Sequence, residues 1–538
     1  MKKTKLALAM SLAFAIYNPA QAQEDHDHFK DHGHFKHTLL ISIDGLHALD
    51  VANYVAKNPN SALAKLSSHG VTYSNARTPA LSDSFPGLLA LVTGGSPISH
   101  GLFYDVSYNR NIYAPGSNCK GSAGNTQVYD ETIDLYNTSG VSLNSIDPTQ
   151  LPMFIDGNGK CSSKYPHNAM QTNTIFEVVK EHGGTTAWAD KHPAYDLVNG
   201  PSGKGVDDLY TPEITNAPPA PANGFDNTVG VVCTGQNDDL KVAAILNQIN
   251  GLTHDGKPSS GVPTVFGMNF QAVSVGQKLA HDNSKGSGCT TDTTLQGQAG
   301  GYLDGSGTPT PVLAYGLDHT DQSLAKMIAG LKAAHIYDST LVIITAKHGQ
   351  SPINPELVNK PGHFADLVAN LSDASTSPAA EIIKDAANCS TGNCGFVQDD
   401  DIALIWLPDQ SKTKLVADYL NANAKALFIE EVMAGNDLKL KFNNPMKDAS
   451  TPDIIVQPVY GTIYTGSSKK NAEHGGFSST DTNVGLIVSN PSIESHVVKT
   501  PVATSQVAAT IVESLGISSD KLGAVRKEGT KPLPFLFD

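Results

Sequence analysis

The chain has 538 residues, 40% of them hydrophobic and 17% charged, and a formal net charge of −15. That composition excludes a disordered chain and supports a sizeable core, in one insertion-bearing α/β unit or in about two to four domains. The acidic balance excludes a nucleic-acid backbone as a docking partner, yet leaves room for a small phosphorylated ligand in a locally basic pocket.

At the N-terminus, Lys2, Lys3 and Lys5 precede the apolar run Leu6 to Ile16 and the small-residue pattern Ala20-Gln21-Ala22. Residues 1–22 therefore read as a signal peptide. The run is too short to span a bilayer, and no later run approaches about 18 apolar residues. The expectation is a periplasmic or secreted protein without membrane contact after cleavage, carrying −18 once the three lysines are removed. His26, His28, His32, His34 and His37 mark a His-rich tail over 23–37, either solvated or weakly metal-gathering. The six cysteines suit disulfides in an exported protein. Cys389 and Cys394 close a short loop, and the other four allow three pairings, of which the neighbour pairs Cys119–Cys161 and Cys233–Cys289 are favoured.

Thr38 to Ile43 is a continuous apolar run of strand length, typical of a strand buried on both faces, and it ends in Asp44-Gly45. Open α/β sheets place ligands at such strand ends, although a turn aspartate looks the same. Asp50 to His69 predicts one helix, and Val71 to Tyr73 a short strand. In Ser82-Asp83-Ser84-Phe85-Pro86-Gly87 the proline predicts a helix starting near Pro86, with Ser84 just ahead of it and Gly94 closing it. Ser84 is then either an N-cap or a nucleophile in an anion site at a helix N-terminus. Residues 103–167 read as decorated loops. Thr172 to Glu181 predicts a helix and Thr185 to Asp190 a strand. It runs into Lys191-His192-Pro193-Ala194-Tyr195-Asp196, a candidate substrate-contacting loop or surface scaffolding.

Val262 to Phe270 predicts another buried strand, 281–310 an inserted loop, and Leu317 to Ala334 an amphipathic helix. Thr340 to Thr345 is a strong buried strand ending in Ala346-Lys347-His348-Gly349. Residues 351–447 read as an inserted cap, after which Pro452 to Val456 is expected to resume the main sheet. His474-Gly475, the strand Val484 to Val488 and a helix over Val502 to Leu515 complete the chain. Buried strands alternating with amphipathic helices predict an α/β fold: a three-layer sandwich around a mostly parallel sheet, with inserted cap regions. The hydrolase domain is expected to occupy residues 38–530.

These motifs, in this order, resemble the alkaline phosphatase superfamily, in its type I phosphodiesterase/nucleotide pyrophosphatase branch. The resemblance covers roughly residues 38–103, 168–280 and 311–520. It implies that Asp44 corresponds to the first-strand metal ligand, Ser84 to the nucleophile, His348 to the histidine of the S-D-H-G motif, and His474 to the late histidine ligand. It also implies a zinc-type divalent metal. Four positions depart from the family pattern. Lys347 replaces the ligand carboxylate of S-D-H-G. In Gln271-Ala272-Val273-Ser274-Val275-Gly276-Gln277, Val273 and Gln277 stand where E-P-D-x-x-G-H has Asp and His. Gly87 stands where an Asn usually follows Phe-Pro. Asp44 and His348 then remain at one metal position and His474 alone at the other, so one ion is expected rather than two.

Lys347 is expected to neutralise a substrate oxyanion, with Lys191 and His192 contributing to substrate binding. The expected function is an exported hydrolase acting on a small-molecule phosphate or sulfate ester through Ser84. The alternative is a member that binds such a ligand with little or no turnover, or a scaffold that keeps only the core.

Overall fold

The computed structural model describes residues 35–128, 133, 145–215, 226–284, 289, 294–389 and 392–536. The signal sequence and the histidines at 26, 28, 32 and 34 lie outside them. His37 opens the first strand, and its Nδ1 pairs with the Pro263 carbonyl at 2.9 Å.

The centre is an eight-stranded sheet. In chain order its strands are β1 (His37–Ile43), β2 (Gly70–Tyr73), β3 (Thr186–Ala189), β4 (Asp208–Tyr210), β5 (Val265–Phe270), β6 (Thr340–Thr345), β7 (Ile487–Ser489) and β8 (His496–Val498). In space they run β8-β2-β7-β6-β1-β5-β3-β4. β6-β1-β5-β3-β4 is parallel throughout, and β7 alone runs antiparallel to its neighbours. The sheet is covered on both faces, so its strands read as unbroken apolar runs.

Alternate residues feed two cores. Leu40, Trp188, Leu341 and Ile343 join one, with Phe85, Leu88 and Leu89 of the helix Ser84–Thr93 and with Val507 and Ile511 of the helix Gln506–Ser514. Leu39, Ile41, Ile43, Phe266, Met268, Val342 and Ile344 join the other, with the helices Val231–Ile249 and Pro311–Ala333. This is the expected three-layer α/β sandwich.

Two sequence expectations change. The single helix over 50–69 is two, α1 (Ala48–Lys57) and α2 (Ala62–Ser68). Pro59 lacks the N–H a continuous helix needs, and Ser61 caps α2 by accepting from the Ala64 N–H. The second change concerns Pro452 to Val456. The strand there is Ile454–Pro458, and it belongs to a separate four-stranded sheet with Phe396–Asp399, Ala403–Trp406 and Ile429–Ala434. Its unbroken apolar run gives it two buried faces, like a central strand, but in the cap. Ile454 and Val456 face the cap helices, while Ile455 faces Phe103, Tyr104 and Tyr108 of the first insertion. The segment Phe103–Tyr108 and this four-stranded sheet therefore share one core. All six cysteines are paired, as Cys119–Cys161, Cys233–Cys289 and Cys389–Cys394.

The helix α3 (Ser84–Thr93) ends at Gly94, which adopts φ +80°. It leans on the segment after β6 through Gly87, where a Cβ would lie 1.9 Å from the Lys347 carbonyl oxygen and 3.0 Å from Lys347 Cα. Because that neighbour is backbone, Gly87→Ala should lower unfolding free energy by about 1–3 kcal/mol. Urea unfolding checks this, and an unchanged midpoint would contradict it.

Candidate active site

Four parallel strands end side by side, and each places a polar residue there: Asp44 after β1, Asp190-Lys191 after β3, Gln271 after β5 and Lys347-His348 after β6. The Asp44 N–H donates to Phe270 O at 3.0 Å and the Gly45 N–H to His348 O at 3.1 Å, so the Asp44 carboxylate is fixed between its neighbours.

Asp83, not Ser84, is the N-cap of α3. Its Oδ2 accepts from the Phe85 N–H at 3.2 Å. Ser84 is the first helical residue, and its hydroxyl is free for other partners. Ser84 Oγ lies 3.3 Å from His348 Nε2 and 3.4 Å from Lys191 Nζ. His348 Nδ1 is 2.7 Å from the Gly349 carbonyl, which can only accept. Nδ1 therefore carries a proton, and Nε2 faces Ser84 Oγ with Asp44 Oδ2 3.7 Å away.

Two carboxylates and two ammonium groups surround this pair. Lys191 Nζ lies 3.4 Å from Asp44 Oδ2 and 3.3 Å from Gln271 Oε1, and Gln271 Nε2 donates to the same Asp44 oxygen. Lys347 Nζ donates to both oxygens of Asp190, at 3.1 and 3.2 Å, and lies 4.0 Å from the centre of the Tyr195 ring. Asp190 is fixed further by Trp188 Nε1 and the Lys191 N–H. Lys347 and Asp190 are fully buried. Burial pushes the Asp44 carboxyl up, but the charges of Lys347 and Lys191 outweigh it and hold Asp44 well below the ordinary range. Burial lowers Lys347, and the charges of Asp190 and Asp44 oppose it only in part.

His474 packs against His348 with ring centres 3.8 Å apart and planes tilted by 31°, and its Nδ1 lies 3.3 Å from Asp83 Oδ1. Burial and the neighbouring His348 hold His474 well below the usual histidine range. His192 Nδ1 binds both oxygens of Glu213, at 2.9 and 2.8 Å. Ser84, Lys191, His192, Gln271 and His474 line a cavity of about 710 Å³. Four lysines (191, 278, 469 and 470) and two aspartates (105 and 226) share its wall, with Lys191 paired to Asp44 and both Lys278 and Lys470 paired to the buried Glu473.

The expected residues thus converge, with different contacts. Lys347 is expected to face a substrate oxyanion, but Asp190 holds its ammonium, and the lysine that reaches Ser84 is Lys191. Val273 packs in the apolar core and Gln277 binds Gly45 O and Asp50, so neither faces the cavity. Gln271 is what β5 delivers, and the strand-end rule that selected Asp44 also selects it. Asp83 and Asp190 were legible as acids directly before Ser84 and Lys191, but their partners lie far away in sequence.

The donors do not fit a metal ion. Asp44 Oδ2 already receives Gln271 and Lys191, and His348 Nε2 faces Ser84. Asp44 Oδ1, Asp83 Oδ1 and His474 Nδ1 are buried without a hydrogen bond, but the Lys191 ammonium, 3.4 Å from both Asp44 Oδ2 and Ser84 Oγ, stands where an ion drawing on them would sit. Among the described residues, no three His, Cys, Asp or Glu side chains form a metal-holding group.

A family model described as type I phosphodiesterase/nucleotide pyrophosphatase matches residues 38–230 and 283–481. The chain belongs to this family. Its members are phosphoester hydrolases that typically depend on divalent metal. Murine ectonucleotide pyrophosphatase/phosphodiesterase 5, solved as an inactive variant with AMP, is 13% identical at TM-score 0.52, covering 90% of this chain and 96% of that one. The human protein is 16% identical at TM-score 0.52, covering 90% and 95%. Alkaline phosphatase PafA is 12% identical at TM-score 0.56, covering 94% and 100%. These likenesses show the alkaline phosphatase-like fold. No curated protein sequence matches the chain.

Removing the charge of Asp190 leaves the Lys347 ammonium buried and uncompensated, which costs about 3 kcal/mol. Asp190→Asn should therefore lower the urea midpoint, and an unchanged midpoint would show that Asp190 does not neutralise Lys347. A second expectation concerns Asp105, on the cavity wall, whose carboxyl is pushed up to about 7 by burial and by Asp83. With its folded pKa above the unfolded value of about 3.9, Asp105 binds more protons folded, so it costs stability as pH rises between the two. The stability of Asp105→Asn relative to wild type should rise from about pH 4 to about pH 7 and level off beyond. Urea unfolding at stepped pH reads this difference.

Proposed function

We propose that this protein hydrolyses a phosphate mono- or diester through Ser84. The carrying observation is the Ser84 hydroxyl at the first turn of α3, 3.3 Å from His348 Nε2 and 3.4 Å from the Lys191 ammonium, on the wall of a lysine-bearing cavity. His348 Nε2 takes the hydroxyl proton as Oγ attacks phosphorus. The Oγ–P bond forms, the ester P–O bond breaks, and the proton passes to the leaving oxygen. Water then hydrolyses the phosphoserine, releasing phosphate from a monoester or a phosphomonoester from a diester. Lys191 and the first turn of α3 face the charge that develops on the phosphoryl oxygens. His192, held by Glu213, stands on the same wall to contact the rest of the substrate. AMP bound to the murine relative supports a small nucleotide-type phosphate ester as substrate class.

The N-terminal signal pattern and the three disulfides support an exported protein. No helix among the described residues is long and apolar enough to cross a membrane. A binding role without turnover is the second reading. It is favoured by the engagement of Asp44, Asp190, Lys191 and Lys347 with one another.

Turnover of p-nitrophenyl phosphate, bis(p-nitrophenyl) phosphate and an aryl sulfate separates these readings. The hydrolase reading expects one of the phosphate esters to be cleaved, with Ser84→Ala losing at least about 10³-fold in kcat and His348→Asn about 10²–10⁴-fold. Equal, negligible turnover by wild type and Ser84→Ala would leave the binding role.

A further inference from the structure

Family members typically hold divalent metal at the strand ends where this chain places two ammonium groups. Lys191 Nζ stands within 3.4 Å of three oxygens: Asp44 Oδ2, Ser84 Oγ and Gln271 Oε1. A cage of carboxylate, hydroxyl and amide oxygens around one point is what a cation occupies. Here the cation is part of the chain. A metal ion drawing on the same Asp44 and Ser84 oxygens would meet the ammonium at close range, without the water that screens such repulsion.

Lys347 follows the same logic one layer deeper. It occupies the position of the S-D-H-G carboxylate, where an unpaired ammonium would be strongly destabilising. Asp190 supplies the missing negative charge, in a bidentate contact at 3.1 and 3.2 Å. Adjacent residues of one strand end, Asp190 and Lys191, thus satisfy Lys347 from β6 and Asp44 from β1. The four charges alternate and compensate without a metal ion. Only Lys191, of the two lysines, reaches the cavity wall, so it is the one placed to meet an entering anion.

We propose that Lys191 is the resident cation of this site, so that the protein binds a phosphoryl oxyanion without divalent metal. This rests on the same Ser84 site as the hydrolase reading, but concerns binding rather than turnover.

The test uses the full mature chain, dialysed against EDTA, with metal content read by mass spectrometry and inorganic phosphate titrated calorimetrically. Less than about 0.1 metal ion per chain is expected, with phosphate affinity unchanged within about twofold by EDTA or added zinc. Lys191→Ala should weaken phosphate at least about tenfold, since a charge-assisted hydrogen bond is lost, and Lys191→Arg should recover part of it. Thermal melts establish that both variants fold. Near-stoichiometric metal after dialysis, phosphate affinity abolished by EDTA and restored by zinc, unchanged affinity in Lys191→Ala, or no phosphate binding at all would each overturn the proposal. Metal-free phosphate binding without ester turnover removes the hydrolase reading alone. Turnover that appears only with zinc removes this proposal and leaves Ser84 as nucleophile.

Discussion

The alternation of Asp44, Lys191, Asp190 and Lys347 is the constraint on which the site depends. Each charge is at least largely buried, and none could be kept there without its neighbours. Buried ion pairs contribute little net stability against an apolar alternative, but breaking one is costly. The four groups are therefore locked together more by the cost of removing any one than by what they add. His348 and Ser84 sit at the edge of this cluster, and their geometry inherits its order.

The sheet makes the arrangement possible. Parallel strands with both faces covered leave only their ends for polar groups, and β1, β3, β5 and β6 are neighbours in the sheet. Residues far apart in sequence thus arrive within hydrogen-bonding distance without any local motif. The segment Phe103–Tyr108 and the four-stranded sheet do different work. They build a shared core around Tyr108, Trp406 and Ile455, away from the central sheet, and Tyr104 reaches back to the His474 carbonyl at 3.0 Å. That contact ties the cap region to the residue that packs against His348.

Much of this was legible in the sequence, for identifiable reasons. The apolar runs of β1, β5 and β6 announce doubly covered strands, and Asp44 and His348 follow from the rule that ligands gather at their ends. Ser84 was placed, but its role as cap or nucleophile depended on whether Asp83 takes the cap, which is a choice between adjacent residues of equal propensity. Pro59 was visible in the sequence, and the long apolar spacing around it masked the break. Ile454–Pro458 could not be assigned from periodicity, because a strand buried in a cap has the same pattern as one buried in the centre. Gln271 is masked in the sequence because the family motif aligns Val273 and Gln277 with its ligands, and the helix Ala272–Lys278 turns both toward the interior. The pairing of Lys347 with Asp190 spans 157 positions, a tertiary fact with no sequence signal.

The close approach of Gly87 to the Lys347 carbonyl divides the cavity into two kinds of wall. On one side α3 and the end of β6 are pressed backbone to backbone, so Ser84 and His348 cannot shift independently. On the other, Ile214, Leu279, Lys469 and Lys470 come from connecting segments, where insertions and exchanges are tolerated. Selection can therefore rework the shape and charge of the entrance while Ser84 and His348 stay in register. A lineage built this way is free to change what it recognises sooner than how it reacts.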